Sequence, residues 1–83
     1  MGTRYTLLAR CGDREIEWDY GHLKHAAWRA FRAIRSTGRL HDTGEAADFV
    51  HLLRGDRSLD HVEADDLALA RLRCSPLHER AAA

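Results

Sequence analysis

Apolar and polar residues alternate over two stretches between Thr3 and Tyr20, and this alternation constrains the fold more than any other feature. A period of two is typical of β-strands that bury one face. Gly12 and Asp13 separate the two stretches and suit a two-residue hairpin turn. That turn would fix the register and predicts these cross-strand pairs: Tyr5 with Tyr20, Leu7 with Trp18, Ala9 with Ile16 and, on the other face, Arg10 with Glu15.

A two-stranded hairpin is marginally stable alone, so the chain must cover its apolar face. The segment from Tyr20 to Thr37 is rich in Ala and is followed by Gly38, as is typical of a helix and its C-terminal end. We therefore predict a long helix packed on the hairpin. At 100° per residue, its apolar stripe consists of Tyr20, Leu23, Ala26, Ala27, Ala30, Phe31, Ala33 and Ile34.

Two shorter helices are predicted after the long one. The first covers Thr43–Arg54, because its apolar residues recur at the spacing of one helix face and Gly55 follows it. The second covers Asp65–Cys74, which has acids in its first turn and arginines in its last. Residues 67–74 also contain an alternating apolar stretch, so a third strand is the alternative there.

These elements predict an α+β fold in which a two-stranded antiparallel hairpin is covered by a long helix and followed by two shorter helices. The 83 residues are expected to form a single domain, 1–83, with 75–83 as a flexible tail. Thirteen of the 37 apolar residues are Ala, so few large side chains remain to enclose a ligand pocket. A small core of this kind favours a binding protein over an enzyme.

Positive charge is concentrated in one third of a chain whose formal net charge is zero. Residues 20–41 contain five basic side chains and no acid, whereas residues 42–83 carry nine acids against five arginines. On a helix, the basic side chains lie opposite the apolar stripe, with Trp28 among them. The residues predicted to bind a partner are Lys24, Trp28, Arg29, Arg32, Arg35 and Arg39.

This arrangement indicates an anionic partner outside the helix. Arginines three or four residues apart repel one another and destabilise an isolated helix by about 0.2–0.5 kcal/mol per pair. Trp and Arg are also the residues most enriched at binding hot spots. The alternative is intramolecular: Trp28 belongs to the core, and the arginines are neutralised by four acids, Asp60, Glu63, Asp65 and Asp66.

No motif indicates catalysis, a cofactor or a metal. The sequence has three Ser, no glycine-rich phosphate loop and no nucleophile elbow. His22, His25, Cys74 and His78 are zinc-ligand types, but two pairs some fifty residues apart make a weak signature. We therefore predict a protein that is not an enzyme and that binds no cofactor or metal.

The two cysteines are too few for a disulfide framework, which favours a reducing compartment, and we predict a cytoplasmic protein. No apolar run approaches the length of a membrane span, so no membrane contact is expected. If Cys74 is exposed, a disulfide between two copies could form a homodimer.

One small domain, a hairpin with helices, an Arg-Trp helix face and no catalytic motif together resemble the small phage-encoded inhibitors known as anti-CRISPR proteins. The resemblance is one of type, and it transfers no functional residue. It implies an inhibitor that docks on a CRISPR effector complex and blocks DNA entry or nuclease recruitment. The predicted function is therefore non-enzymatic binding, as an inhibitor or adaptor, to an acidic protein or ribonucleoprotein surface. The alternative is a small DNA- or RNA-binding accessory protein that uses the same helix.

Overall fold

Two hairpins form one antiparallel sheet, and each is followed by a helix. The computed structural model describes the backbone of residues 3–82 and the side chains of residues 3–74. The secondary structure consists of β1 (Tyr5–Cys11), β2 (Arg14–Gly21), α1 (Lys24–Thr37), β3 (Phe49–Arg54), β4 (Arg57–Val62) and α2 (Ala64–Ala82). The strands lie in the order β2-β1-β3-β4.

The N-terminal hairpin is present, with one change of register. Leu7 lies opposite Trp18 and Ala9 opposite Ile16, as the turn at Gly12 and Asp13 predicts, and Arg10 lies opposite Glu15. The predicted pair of Tyr5 with Tyr20 is wrong, because the ladder shifts between Tyr5 and Thr6 and brings Tyr5 opposite Gly21. One strand thus carries an extra residue at its end, as in a β-bulge.

The helix predicted over Thr43–Arg54 is wrong, because Phe49–Arg54 is strand β3. It pairs with β1, with Leu7 opposite Leu52 and Ala9 opposite Val50. A short apolar run fits a helix face and a buried strand about equally well, and here pairing with the free edge of β1 decides the outcome.

Gly55 lies in the turn of a second hairpin and does not end a helix. Its φ is +64°, a conformation that Gly adopts readily. The residues after the turn form β4, which pairs with β3 so that Val50 lies opposite Val62 and His51 opposite His61. The sheet therefore has four strands where the sequence predicted two.

Helix α1 begins at Lys24, later than predicted, and ends at Thr37 before Gly38, whose φ is +71°. Its buried face consists of Ala27, Ala30, Phe31 and Ile34. The helix packs on β1, β2 and β3. Phe31 and Ile34 are fully buried together with Leu7, Val50, Leu52 and Leu67.

Helix α2 begins at Ala64, so the strand considered for residues 67–74 is wrong. The helix packs mainly on α1 and contributes Leu67 to the core. The tail predicted for 75–83 concerns residues whose side chains lie outside the described part of the chain, and it stays a prediction.

The α+β content is confirmed, but the predicted arrangement of a helix-covered hairpin followed by two shorter helices is wrong. The sheet buries one face against α1. The alternate side chains Leu8, Phe49 and Leu53 point to the other face and are not part of the core cluster. Among the described residues, no helix covers that outer face.

Candidate binding surface

Helix α1 presents its basic residues on the side away from the sheet. We call Lys24, Trp28, Arg29, Arg32 and Arg35 the basic face. The four cationic side chains are exposed, because Ala27, Ala30 and Ile34 occupy the opposite side of the helix and are buried. The amphipathic pattern of α1 therefore places the predicted cations at the surface.

Arg39, the sixth predicted residue, does not belong to this face. It follows Gly38 and lies beyond the last turn of α1, in an isolated bridge with Ala46. Its Nη1 donates to the carbonyl oxygen of Gly44 at 3.1 Å. Arg39 is exposed, but its guanidinium group is engaged in the connection between α1 and β3.

The intramolecular neutralisation by acids, which was the alternative interpretation, is largely missing from the described residues. Arg35 lies 4.0 Å from Asp60, at the limit of an ion pair, and both side chains are about half exposed. Among residues 3–74, no carboxylate lies within 4.0 Å of Lys24, Arg29 or Arg32. An exposed ion pair of this kind contributes at most about 1 kcal/mol to the stability of the fold. Because the other three cations lack a carboxylate partner among these residues, most of the positive charge faces solvent.

Trp28 belongs partly to the core and partly to the surface. Its ring meets the buried Phe31 edge to face, with ring centroids 5.8 Å apart and an angle of 86° between the planes. The guanidinium carbon of Arg32 lies 5.9 Å from the Trp28 ring centroid, within the range of a cation–π contact. The Trp28 ring thus contacts the Arg32 guanidinium group, and part of the indole remains accessible to solvent.

A surface cleft of about 540 Å³ adjoins the C-terminal end of the basic face. Arg35 and Arg73 line it together with Asp60 and Asp66. Charges of both signs line this cleft. It should therefore attract an anion less strongly than the middle of α1 does.

Groups of the N-terminal hairpin, Cys11 and Asp19 among them, have shifted pKa values. Burial raises the pKa of the Cys11 thiol, and nearby Glu45 adds to the effect. A hydrogen bond from Arg4, followed by one from the backbone N–H of Gly21, lowers the pKa of Asp19. The Asp19 carboxylate is exposed, and its two donors lie at the open end of the same hairpin, so its shift reflects a local structural contact.

Among the described residues, no group of three or more His, Cys, Asp and Glu is arranged to hold a metal ion. His22 Nδ1 lies 2.9 Å from the backbone oxygen of Thr3, and the side chain of His78 lies outside the described residues. Cys74 is a free, exposed cysteine whose Sγ lies 3.6 Å from the backbone oxygen of Ser36. Its role in a disulfide-linked homodimer remains a prediction.

The outer face of the sheet, where the rings of Phe49, His51 and His61 lie together, was not predicted from the sequence. A signal was available, because Val50 and Leu52 alternate with His51 and Leu53. The same segment also has apolar residues at helical spacing, and the helix prediction rests on that spacing.

In comparisons with known proteins, no family model matches this chain, and neither a curated protein nor a solved structure matches it. Within the residues that the structure describes, neither helix has both the length and the apolar character needed to cross a membrane.

Proposed function

We propose that this chain is a non-enzymatic binding protein whose basic face docks on an acidic protein surface, as an inhibitor or adaptor. The observation that carries the proposal is the set of three exposed cations, Lys24, Arg29 and Arg32, with no carboxylate within 4.0 Å among residues 3–74. Uncompensated charge on a rigid helix attracts an oppositely charged surface and accelerates encounter with it.

The arrangement around Trp28 supports a protein partner. The indole is held by Phe31 on one side and carries Arg32 on the other, so the centre of the face needs little ordering on binding. Preorganised Trp and Arg side chains are typical of the few residues that dominate binding energy at protein interfaces.

The same observations favour a protein over a nucleic acid. Lys24 and Arg35 are separated by about 17 Å along the helix, a length that spans about five phosphates of one strand. Asp60 and Asp66 lie at the end of this row and would repel further phosphates. A nucleic acid would therefore bind weakly and with a strong dependence on salt.

The resemblance to anti-CRISPR proteins makes a CRISPR effector subunit our candidate partner. Both cysteines within the described residues are free, which supports a reducing compartment such as the cytoplasm, where these effectors act. The candidate is specific enough to test: expression of the chain should restore phage plaques in a bacterium whose CRISPR immunity is active.

The main experiment compares two double charge reversals. Arg29→Glu with Arg32→Glu reverses two of the three exposed cations and leaves the Arg35 contacts with Asp60 and Phe31 in place. Arg54→Glu with Arg57→Glu is the matched control, because it makes the same change of charge at the exposed turn between β3 and β4. Circular dichroism establishes that both variants are folded.

Affinity capture from a bacterial lysate, with mass spectrometry, identifies the partner, and binding to the purified partner is then measured. We expect the α1 variant to lose at least about 100-fold in affinity, since truncation of a hot-spot residue alone costs about 2 kcal/mol. The control should bind within about threefold of the wild type.

Equal binding by both variants would refute the proposal. A labelled duplex or single strand that shifts at about 50 mM salt and is released by about 200 mM would instead identify a nucleic-acid-binding protein.

A further inference from the structure

The outer face of the sheet carries a cluster of apolar and aromatic side chains that no described helix covers. Leu8 lies on β1 opposite His51 of β3, and His51 lies opposite His61 of β4. Phe49 and Leu53 flank this row on β3, and both are half-buried. We call Leu8, Phe49, His51, Leu53 and His61 the outer patch.

The outer patch is ordered by contacts among its own side chains. The ring centroids of Phe49 and His51 are 5.7 Å apart, and those of His51 and His61 are 5.8 Å apart. His51 Nε2 lies 2.7 Å from the Ser58 hydroxyl oxygen, and the Arg10 guanidinium carbon lies 6.0 Å from the Phe49 ring centroid. A preformed patch loses little side-chain entropy when something packs on it.

The two edges of this face differ in charge and in hydrogen-bonding character. On the β2 edge, Glu15 and Glu17 are exposed, and no cation of residues 3–74 lies within 4.0 Å of either carboxylate. On the β4 edge, His61 provides a ring N–H donor, and its Nε2 lies 3.6 Å from the Glu63 carboxylate. The carboxylates disfavour a nucleic acid on this face, because they would repel its phosphates.

We infer that the outer face binds a second copy of this chain, with the two sheets packed face to face around a twofold axis parallel to the strands. Such an axis reverses the strand order, so β2 of one copy covers β4 of the other and β1 covers β3. Each contact then occurs twice, as in any twofold interface.

Register makes this pairing complementary. Glu17, Leu8, His51 and His61 lie at the same level of the sheet, because each is paired directly with the next across the strands. In the dimer, the Glu17 carboxylate therefore faces the imidazole of His61 in the other copy. Leu8 faces His51, and Arg10 faces Phe49. A twofold axis perpendicular to the strands would instead set the β2 carboxylates against each other.

The area available predicts a weak dimer. Four strands spaced about 4.8 Å apart, with six residues of about 3.4 Å each, project an area of about 400 Å². A standard stable interface buries about 800 Å² per partner. We therefore expect the monomer to predominate at low micromolar concentration and the dimer to form at several hundred micromolar.

Sedimentation equilibrium between about 20 and 500 µM tests this inference by a charge exchange. Glu17→Lys and His61→Glu should each weaken the dimer at least about tenfold, because the first removes the carboxylate that accepts from the imidazole N–H and the second sets two carboxylates together. The double variant Glu17→Lys/His61→Glu should recover the wild-type dissociation constant within about threefold. Recovery requires two chains, since β2 and β4 of one sheet are three strand spacings, about 14 Å, apart.

Two controls separate this interface from other contacts. Cys74→Ser in reducing buffer excludes a disulfide-linked dimer, and the α1 variant Arg29→Glu should dimerise like the wild type. A chain that stays monomeric at 500 µM, a double variant without recovery, or a dimer lost on Arg29→Glu would overturn the inference. Because α1 lies on the other side of the sheet, this outcome and that of the partner-binding experiment are independent.

Discussion

Gly38 leaves no room for a side chain, because a Cβ atom there would overlap the carbonyl oxygen of Leu67 and lie 2.6 Å from Cγ of Arg71. Gly38 also has a φ of +71°, which L-residues with a side chain adopt only at a cost. The end of α1 thus rests directly on the backbone of α2. The sequence indicated this glycine as a helix end, and the structure adds the close approach of a second helix.

Gly38→Ala should lower the free energy of unfolding by about 2–5 kcal/mol. About 1–2 kcal/mol comes from the left-handed conformation. About 1–3 kcal/mol more comes from the overlap, since backbone atoms of α2 must shift. Urea unfolding followed by circular dichroism measures the change.

Gly44→Ala is the matched control for this substitution. Gly44 has a similar φ of +79°, but a Cβ atom there would meet nothing within 4 Å. Only the conformational part, about 1–2 kcal/mol, should be lost. Equal losses in the two variants would show that the contact between α1 and α2 at Gly38 is not tight.

Arg71 ties α2 to the connection between α1 and β3, and its replacement should destabilise the fold. Its Nη1 donates to the carbonyl oxygens of Gly38 at 3.0 Å and Ala47 at 2.7 Å. Arg71→Met keeps most of the aliphatic packing and should lower the free energy of unfolding by about 1.5–3 kcal/mol, the usual contribution of a hydrogen bond to a charged group. Arg73→Met, at an exposed position two residues later, should change it by less than about 0.5 kcal/mol. Similar thermal midpoints for the two variants would contradict this role.

Phe31 and Trp28 should differ in their contribution to stability. Phe31 is fully buried, and Phe31→Ala should lower the free energy of unfolding by about 3–5 kcal/mol. Trp28 is only half-buried, so Trp28→Ala should leave a folded protein that loses about 1–3 kcal/mol. Chemical denaturation of both variants tests the order, and a Trp28 variant that is less stable than the Phe31 variant would place the indole in the core.

Stability should fall in alkaline solution because two groups hold their protons more tightly in the folded chain. Burial raises the pKa of the Cys11 thiol and the pKa of the Tyr20 phenol. When the pKa of a group is raised in the folded chain, its contribution to the free energy of unfolding is fully present below the pKa of the unfolded chain. That pKa is about 8.5 for Cys and about 10 for Tyr. The contribution is lost as the pH rises through the pKa of the folded chain.

Urea unfolding at pH 7 and pH 10 should therefore show a smaller decline for Cys11→Ala than for the wild type. Cys74→Ala, which replaces an exposed cysteine, should decline like the wild type. The same decline in all three proteins would mean that the Cys11 thiol does not contribute.

Local patterns predicted the parts of the fold that depend on neighbours in sequence. The hairpin at Gly12 and the end of α1 at Gly38 follow from turn and cap chemistry, which acts within a few residues. Phe49–Arg54 could not be assigned in the same way. Its strand depends on pairing with β1, a partner far away in the sequence, and helical spacing alone does not exclude it.

Most of the basic face could also be predicted, since exposure opposite an apolar stripe is a property of one helix. The exposed cations Lys24, Arg29, Arg32 and Arg35 lie where the periodicity of α1 places them. Arg39 departs from this pattern, because the helix ends before it and the backbone of the next loop accepts its hydrogen bond. The outer patch depends on the C-terminal hairpin and could be recognised only once β3 and β4 were known.

The central position of β1 has a consequence for partly folded chains. β1 hydrogen-bonds to β2 along one edge and to β3 along the other, yet β3 begins only at Phe49. Until β3 pairs with it, the N-terminal hairpin exposes an unsatisfied strand edge, the kind of surface that recruits other extended chains. A chain truncated after Asp48 should therefore aggregate more readily than the full-length chain.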